Sequence, residues 1–315
     1  MLLLGGVPEE RLRDLRASAP RMEFVPVRSA QDQLAEIIDA DATYGWPSRD
    51  ALRMARRLRW VHVGGAGIEH IRTLPELIDS DVLLTNGRGT MARSVADHTF
   101  GLILSFTRRL REIAEDQRGH RWTRDLRLAQ MRELTGSTLG ILGLGQIGSY
   151  VAQRGAGFEM QIKAVDARPP ARHPYVEEVW GMERLDELLA IADYFVVTIP
   201  FTPESRRLID RRRLQLMKPG AHLFVVSRGG IVEEGALIGA LRSGHLAGAG
   251  LDVAETEPLP PESPLWDTPN LILTPHCSGN SPQTHDRLWA LLAENVRRFV
   301  AGEALLNLCD KRAGY

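Results

Sequence analysis

The chain has 315 residues, 43% of them hydrophobic and 25% charged, which is the make-up of a globular protein long enough for two cores. Its formal net charge of -1 excludes a global field that would draw it to nucleic acid or an anionic membrane. Two cysteines, Cys277 and Cys309, exclude a disulfide framework and a CxxC metal site.

The opening "MLLLGG" lacks a basic segment and is too short for a signal sequence, so it reads as a first strand. Further strands are predicted at "MEFVPV", "ATYGW", "WVHVGG" and "DVLLTN", with helices such as "EERLRDLRA" and "QDQLAEIIDA" between them. The arginine clusters Arg53 to Arg59 and Arg211 to Arg213 carry Leu or Met at helical spacing and read as solvated helix faces. A helical stretch of roughly 25 residues then runs from about Ala92 to Arg118, longer than the usual globular helix and suited to bridging domains or packing in a dimer. It contains "FGLILSF", among the longest apolar runs, which is far short of membrane-spanning length. A reducing, cytoplasmic setting is the expectation.

After the loop "GHRWTRDLRLAQMRELTGS", a second series of strands is predicted at "TLGIL", "QIKAVD", "DYFVVTIP", "AHLFVVS", "AGAGLDV" and "LILTP". The Pro-rich "ETEPLPPESPLWDTPN" reads as a surface loop, and the final helix, "THDRLWALLAENVRRFVAG", can return to the first domain. Short apolar runs alternating with amphipathic segments predict α/β architecture, parallel sheets with helices on both faces.

In "TLGILGLGQIGSY", Gly143, Gly145 and Gly148 follow a strand and open a helix. That context turns a weak spacing into a dinucleotide-binding fingerprint. Gly143 makes the turn, Gly145 admits a pyrophosphate to the backbone, and Gly148 lets helix and strand pack closely. Gln146 and Ile147 open the helix, whose unpaired amides and positive dipole end suit phosphate oxygens. Asp166 ends the next strand eighteen residues after Gly148, where it can accept the ribose hydroxyls of NAD and repel a 2′-phosphate. Arg168 partly offsets that repulsion, so NAD(H) is favoured over NADP(H) without NADP(H) being excluded.

Three later strands deliver polar residues to the same sheet edge: Arg228, then Asp252 followed by Glu257, and His276. Ligands of open α/β sheets sit beyond that edge. For His276, in "LTPHCSGN", a metal site lacks a third ligand near by, and a Cys277 nucleophile explains neither Arg228 nor the glycine loop. An acid–base role remains. A planar guanidinium can hold a carboxylate or polarise a carbonyl, and an imidazole can supply a proton as a cofactor supplies hydride. A carboxylate such as Glu257 favours the imidazolium and orients the ring. Singly, each residue has a plainer reading as a structural histidine, a surface cation or a loop carboxylate; their convergence beside the fingerprint favours a site.

On "GILGLGQIGSYVAQRGAGFEM", "LQLMKPGAHLFVVSRGGIVEEGAL", "GLDVAETEPLP" and "LTPHCSG", in that order and spacing, the chain resembles the D-isomer-specific 2-hydroxyacid dehydrogenase family, which includes phosphoglycerate, glycerate/hydroxypyruvate and formate dehydrogenases. The resemblance covers nearly the whole chain. It implies an NAD(H)-dependent enzyme acting on a small 2-oxo or 2-hydroxy acid, with Arg228 binding and polarising substrate, His276 donating the proton and Glu257 paired with it. It places Gln146, Ile147, Asp166, Ile199, Val226 and Asp252 on cofactor-contact positions. It likens "GGAGIEHI" to a loop whose amides, at Ala66 and Gly67, hold the substrate carboxylate. It also implies a Rossmann NAD domain over 93–280 inserted into a flavodoxin-like substrate domain made of 1–92 and the segment 281–315. Hinge closure and a homodimer formed through the nucleotide domain complete the implied picture, with no nucleic-acid or membrane partner and no metal.

Departures from the family pattern are Val225 in place of Asn, Glu159 within Gly157-Phe158-Glu159-Met160, the trio Ala96-Asp97-His98, and Cys277 after the histidine. They mark a divergent branch. The competing class is an NAD(H)-binding sensor or corepressor-like scaffold that keeps the fold. A β-hydroxyacid dehydrogenase would carry its glycine loop near the start and a catalytic lysine, which does not match Gly143 or a chain with three lysines at 163, 218 and 311.

Overall fold

A computed structural model describes residues 1–314; Tyr315, the last residue of the predicted C-terminal segment, lies outside them. The chain divides into two compact units, one built from Met1–Met91 with the residues from Ser281 onward, the other from Ala92–Asn280.

The first unit runs β1 (Leu2–Leu4), α1 (Glu9–Ser18), β2 (Val25–Val27), α2 (Ala30–Glu36), β3 (Ala42–Tyr44), α3 (Arg49–Met54), β4 (Trp60–Val63), α4 (Pro75–Ile78) and β5 (Leu83–Asn86). Its five strands are all parallel in the order β2-β1-β3-β4-β5, the flavodoxin-like winding. Pro26, which cannot donate to a ladder, sits in β2, an edge strand. Ser29 and Ser48 set the starts of α2 and α3, their hydroxyls accepting from the amides of Asp32 and Ala51.

The second unit runs α5 (Ala92–Thr107), α6 (Leu110–Arg118), α7 (Arg124–Leu128), β6 (Thr138–Leu142), α8 (Gln146–Gly157), β7 (Gln161–Val165), β8 (Glu178–Trp180), α9 (Leu185–Ile191), β9 (Tyr194–Val197), α10 (Arg211–Leu216), β10 (His222–Val225), α11 (Glu234–Arg242), β11 (Gly248–Leu251) and β12 (Leu271–Leu273). The sheet order is β12-β11-β10-β9-β6-β7-β8, all parallel, a Rossmann winding with one further strand. Every residue of β9 and β11 is buried, as expected of strands covered on both faces.

α12 (Pro282–Ala301) belongs to the first unit. Ser281 caps it by accepting from the amide of Thr284. Its apolar stripe delivers Leu292 and Val296, both fully buried, to a core with Leu3, Leu12, Leu15 and Trp60. Among the described residues no helix is long and apolar enough to cross a membrane.

Three local expectations are corrected. The single long helix is two: α5 stops at Thr107, Arg109 takes left-handed angles of φ 55° and ψ 36°, and α6 restarts at Leu110. Tertiary bonds set the break, because the Arg132 amide donates to the Thr107 carbonyl (3.0 Å) and Arg111 Nη1 donates to the Leu271 carbonyl (2.9 Å). Helix α3 ends at Met54, so only the start of the first arginine cluster is helical; the rest leads into β4. Strand β8 was not foreseen. Its three residues are too few to show a period, and it forms only as the outer neighbour of β7, where Lys163 pairs with Glu178.

The segment read as a loop after α6 is ordered around Asp116, which is nearly buried and accepts from Thr123 Oγ1 (2.6 Å), Arg127 Nε (2.8 Å) and Arg121 Nη2 (2.9 Å). The Thr123 hydroxyl and then the two guanidinium groups hold its carboxyl down to about 2. A depressed carboxyl contributes stability in full above its unfolded value of about 3.9 and loses it as pH falls through the folded value. Asp116→Asn is therefore expected to lower the melting temperature at neutral pH, with the gap to wild type closing as pH falls from about 4 towards 2. Thermal melts across that range test this, and a gap that stays constant contradicts it.

Candidate active site

In the second unit the strand order reverses between β6 and β9, and the glycine loop leaves β6 at that point. Gly143 has φ 97°, a conformation that a side chain would strain. A Cβ at Gly148 would lie 2.0 Å from the Gly143 carbonyl oxygen, so only glycine lets α8 lie this close to the strand. At Gly145, the N-cap of α8, nothing lies within 4 Å of the Cβ position and no side chain caps the helix. Uncapped amides therefore open onto free space, which suits a pyrophosphate. Thr198 Oγ1 donates to the Gly143 carbonyl (2.6 Å), and Ile199 packs against the Gly143 turn.

Asp166 follows β7, its Oδ2 accepting from the Leu144 amide and its Oδ1 from the Arg168 amide, each at 2.7 Å. The carboxylate is thus fixed against the glycine loop. Two amides use two of its roughly four acceptor positions, leaving others for ribose hydroxyls. These residues fit a dinucleotide on three counts: open amides, a held carboxylate and a backbone free of side chains.

The polar groups expected at the strand ends stand on β10, β11 and β12, which are adjacent in the sheet. His276 lies three residues beyond β12 with φ 49°, left-handed for a residue with a side chain. Its Nδ1 is 2.7 Å from Glu257 Oε2, and Glu257 Oε1 accepts from the Ala254 amide (2.9 Å). Both side chains are part-exposed, at 45% and 37%, so the pair opens to a ligand. Arg228 follows β10 and donates from Nη1 to the Ser227 carbonyl (2.7 Å). A Cβ at Gly229 would come 1.9 Å from the Ala254 carbonyl oxygen, so the arginine loop and the Glu257 loop are in backbone contact. Val226, between β10 and Arg228, is buried.

Asp252 is fully enclosed. Its Oδ1 accepts from Thr274 Oγ1 (2.6 Å) and the Cys277 amide (3.0 Å), and its Oδ2 accepts from the Ser278 amide (2.9 Å). Three of its roughly four acceptor positions are thus filled by the histidine turn. Burial, and then Asp252 beside it, push the Cys277 thiol up, the reverse of what a nucleophilic cysteine needs. His62 and His222 are also poor acid–base candidates, since burial pushes both down to about 4. Among the described residues no group of three or more His, Cys, Asp or Glu is placed to hold a metal ion.

Ala66 and Gly67, in the loop after β4 of the first unit, are part-buried. The loop is held by its carbonyls: Asn86 Nδ2 donates to Ala66 (2.6 Å) and the Gly87 amide to Gly65 (2.9 Å). The sequence gives little sign of Asn86 and Thr274, which brace the Ala66 loop and the His276 turn; their only signal is a polar residue at the end of an apolar strand. The geometry of the glycine loop makes one prediction. Gly148→Ala is expected to abolish quenching of protein fluorescence by NADH while the circular dichroism spectrum stays that of wild type, and undiminished quenching would contradict the packing argument.

Residues 100–278 match the family model described as D-isomer specific 2-hydroxyacid dehydrogenase, NAD binding domain. The chain is 37% identical over 290 residues to a glyoxylate reductase of Aeropyrum pernix, covering 88% of this chain and 85% of that enzyme. It is 35% identical over 292 residues to the D-3-phosphoglycerate dehydrogenase of Mycobacterium leprae, covering 92% of this chain and 51% of that enzyme, so it spans about half the length of that relative. A crystal structure of a D-isomer specific 2-hydroxyacid dehydrogenase from Xanthobacter autotrophicus, in complex with NADPH and MES, superposes with a TM-score of 0.85 at 31% identity, covering 100% of this chain and 99% of that one. The chain belongs to the D-isomer specific 2-hydroxyacid dehydrogenase family, with the family's NAD-binding domain in its second unit.

Proposed function

We propose that this chain reduces a small 2-oxo acid to the D-2-hydroxy acid with NADH, or runs the reverse oxidation. The observation that carries the reading is the 2.7 Å contact between His276 and Glu257 on the sheet edge that also carries Arg228 and the dinucleotide loop. A nicotinamide held by the glycine loop and Asp166 would supply hydride for the carbonyl carbon. His276 donates a hydrogen bond from Nδ1 to Glu257 and keeps that proton, which orients the ring and leaves the Nε2 proton to go to the carbonyl oxygen. Arg228 offers two donors in one plane to the substrate carboxylate or carbonyl and draws charge onto the oxygen. The amides of Ala66 and Gly67 are assigned to the substrate carboxylate. Gly143, Gly145, Gln146, Ile147, Gly148, Ile199, Val226 and Asp252 are assigned to the cofactor.

Asp166 favours NADH, because a 2′-phosphate would meet a carboxylate already fixed in place, while the exposed Arg168 leaves NADPH a weaker substrate. The relatives named for enzymes support catalysis over a sensor or scaffold role. We assign the chain to a homodimer, and the 93% exposed Trp122 with exposed Leu126 and Leu128 nearby supports an uncovered apolar surface in the lone chain.

His276→Ala is expected to lower kcat by about 10²–10⁴-fold with NADH affinity nearly intact. Arg228→Lys is expected to lose most activity as well, since an ammonium cannot reproduce the planar fork. Loss of NADH absorbance with glyoxylate, hydroxypyruvate, pyruvate and phenylpyruvate, repeated with NADPH, measures both the variants and the cofactor preference. A His276→Ala enzyme that turns over at the wild-type rate overturns the assignment, and NADPH outperforming NADH overturns the role given to Asp166.

A further inference from the structure

His276 holds a left-handed backbone conformation that its side chain disfavours, so the surrounding structure must impose it. Two kinds of bond do so. On the C-terminal side, the amides of Cys277 and Ser278 donate to Asp252. On the N-terminal side, the Thr274 amide donates to the Leu251 carbonyl (2.9 Å) and the Thr274 hydroxyl donates to Asp252 Oδ1 at 2.6 Å. That hydroxyl has one hydrogen and gives it to Asp252, so it must accept from His98 Nε2, which lies 2.9 Å away. His98 Nε2 is itself 3.8 Å from Asp252 Oδ1, which closes a three-membered group. His98 stands on α5, whose neighbouring Ala96 and Thr99 are fully buried, so its ring rides on a fixed element.

We propose that Thr274 and His98 are positioning residues that clamp the turn before His276, so that its ring meets Glu257 and its free nitrogen meets the substrate. The hydrogen bonds of both side chains go to each other and to Asp252, and their effect runs through the backbone on either side of Pro275. The inference rests on the reading of His276 as proton donor. Without the hydroxyl, Asp252 still holds Cys277 and Ser278 and the Thr274 amide still donates to the Leu251 carbonyl, but the stretch between those anchors loses its side-chain tie and His276 gains freedom to shift within it. A displaced ring loses alignment with the carbonyl oxygen, and small misplacements of a reacting group are costly in rate.

The test compares Thr274→Val with Thr274→Ser, and His98→Leu with His98→Gln. Valine keeps the shape and removes the hydroxyl; serine keeps the hydroxyl; glutamine offers an amide donor in place of the ring nitrogen. Thr274→Val and His98→Leu are expected to lower kcat by about tenfold to a hundredfold, with KM for the 2-oxo acid and Kd for NADH within about twofold of wild type. Thr274→Ser and His98→Gln are expected to recover most of that loss. A Thr274→Val enzyme with kcat within twofold of wild type overturns the proposal, and so does failure of both conservative variants to recover activity. If Thr274→Val does not fold, the His98 pair decides by the same criteria.

A second readout does not depend on turnover. Cys277 lies in the clamped turn and is part-exposed, whereas Cys309, the only other cysteine, is buried. Alkylation by iodoacetamide, followed by mass spectrometry, therefore reports how often the turn opens. Thr274→Val and His98→Leu are expected to speed alkylation of Cys277 by about threefold or more, with the serine and glutamine variants near wild type. Should the wild-type chain show no turnover on any 2-oxo acid, the proposed function fails, yet this measurement still decides the clamp: unchanged alkylation rates overturn it.

Discussion

The candidate site depends on one buried carboxylate. Asp252 has no exposed surface and accepts three hydrogen bonds, all from the short stretch Thr274 to Ser278. A carboxylate removed from water is costly unless its acceptors are filled, and here the filling is also what shapes the loop. The geometry of His276 follows from it: a left-handed residue suspended between bonds before and after it, with its ring turned to Glu257. Glu257 is anchored in turn by the Ala254 amide, and the Ala254 carbonyl stands where only a glycine, Gly229, can pass beside it. The three strand ends are thereby linked by one backbone contact, Gly229 against Ala254, and by the Asp252 and Glu257 carboxylates, which accept from groups of the neighbouring loops.

The nucleotide half obeys the same logic with different parts. Gly148 and Gly143 allow helix and turn to approach within distances that no side chain tolerates, and Asp166 ties the end of β7 to the loop through the Leu144 amide. A rigid pair of loops at the strand-order reversal, one offering amides and one a carboxylate, is what binding a dinucleotide requires. The parallel sheet makes this possible because every strand in it ends on the same edge.

Much of the fold is legible in the chain because apolar runs of strand length alternate with amphipathic helical segments, so two parallel sheets follow from pattern alone. The glycine spacing and the polar residues at strand ends are equally local signals. What pattern does not carry is the partner of each polar group. Nothing near Asp252 in sequence shows that its acceptors go to residues 22 to 26 positions further on. Nothing in the apolar period through Leu110 and Ile113 marks the break at Arg109, because the bonds that impose it come from Arg132 and Leu271. Strand β8 is invisible for a related reason: three residues have no measurable period, and the strand exists only by pairing with β7. Local structure is written in local sequence; closure of loops on distant acceptors is not.

In the proposed function His276 delivers the proton to a 2-oxo acid held by Arg228. The most direct measurement is a crystal structure with NADH and oxamate, an unreactive amide that presents a carboxylate beside a carbonyl. The account predicts the oxamate carbonyl oxygen at about 2.6–3.2 Å from His276 Nε2, with Glu257 still on Nδ1 and Arg228 on the same ligand. Oxamate bound beside the nicotinamide with its carbonyl turned away from His276, or held without Arg228, would contradict it.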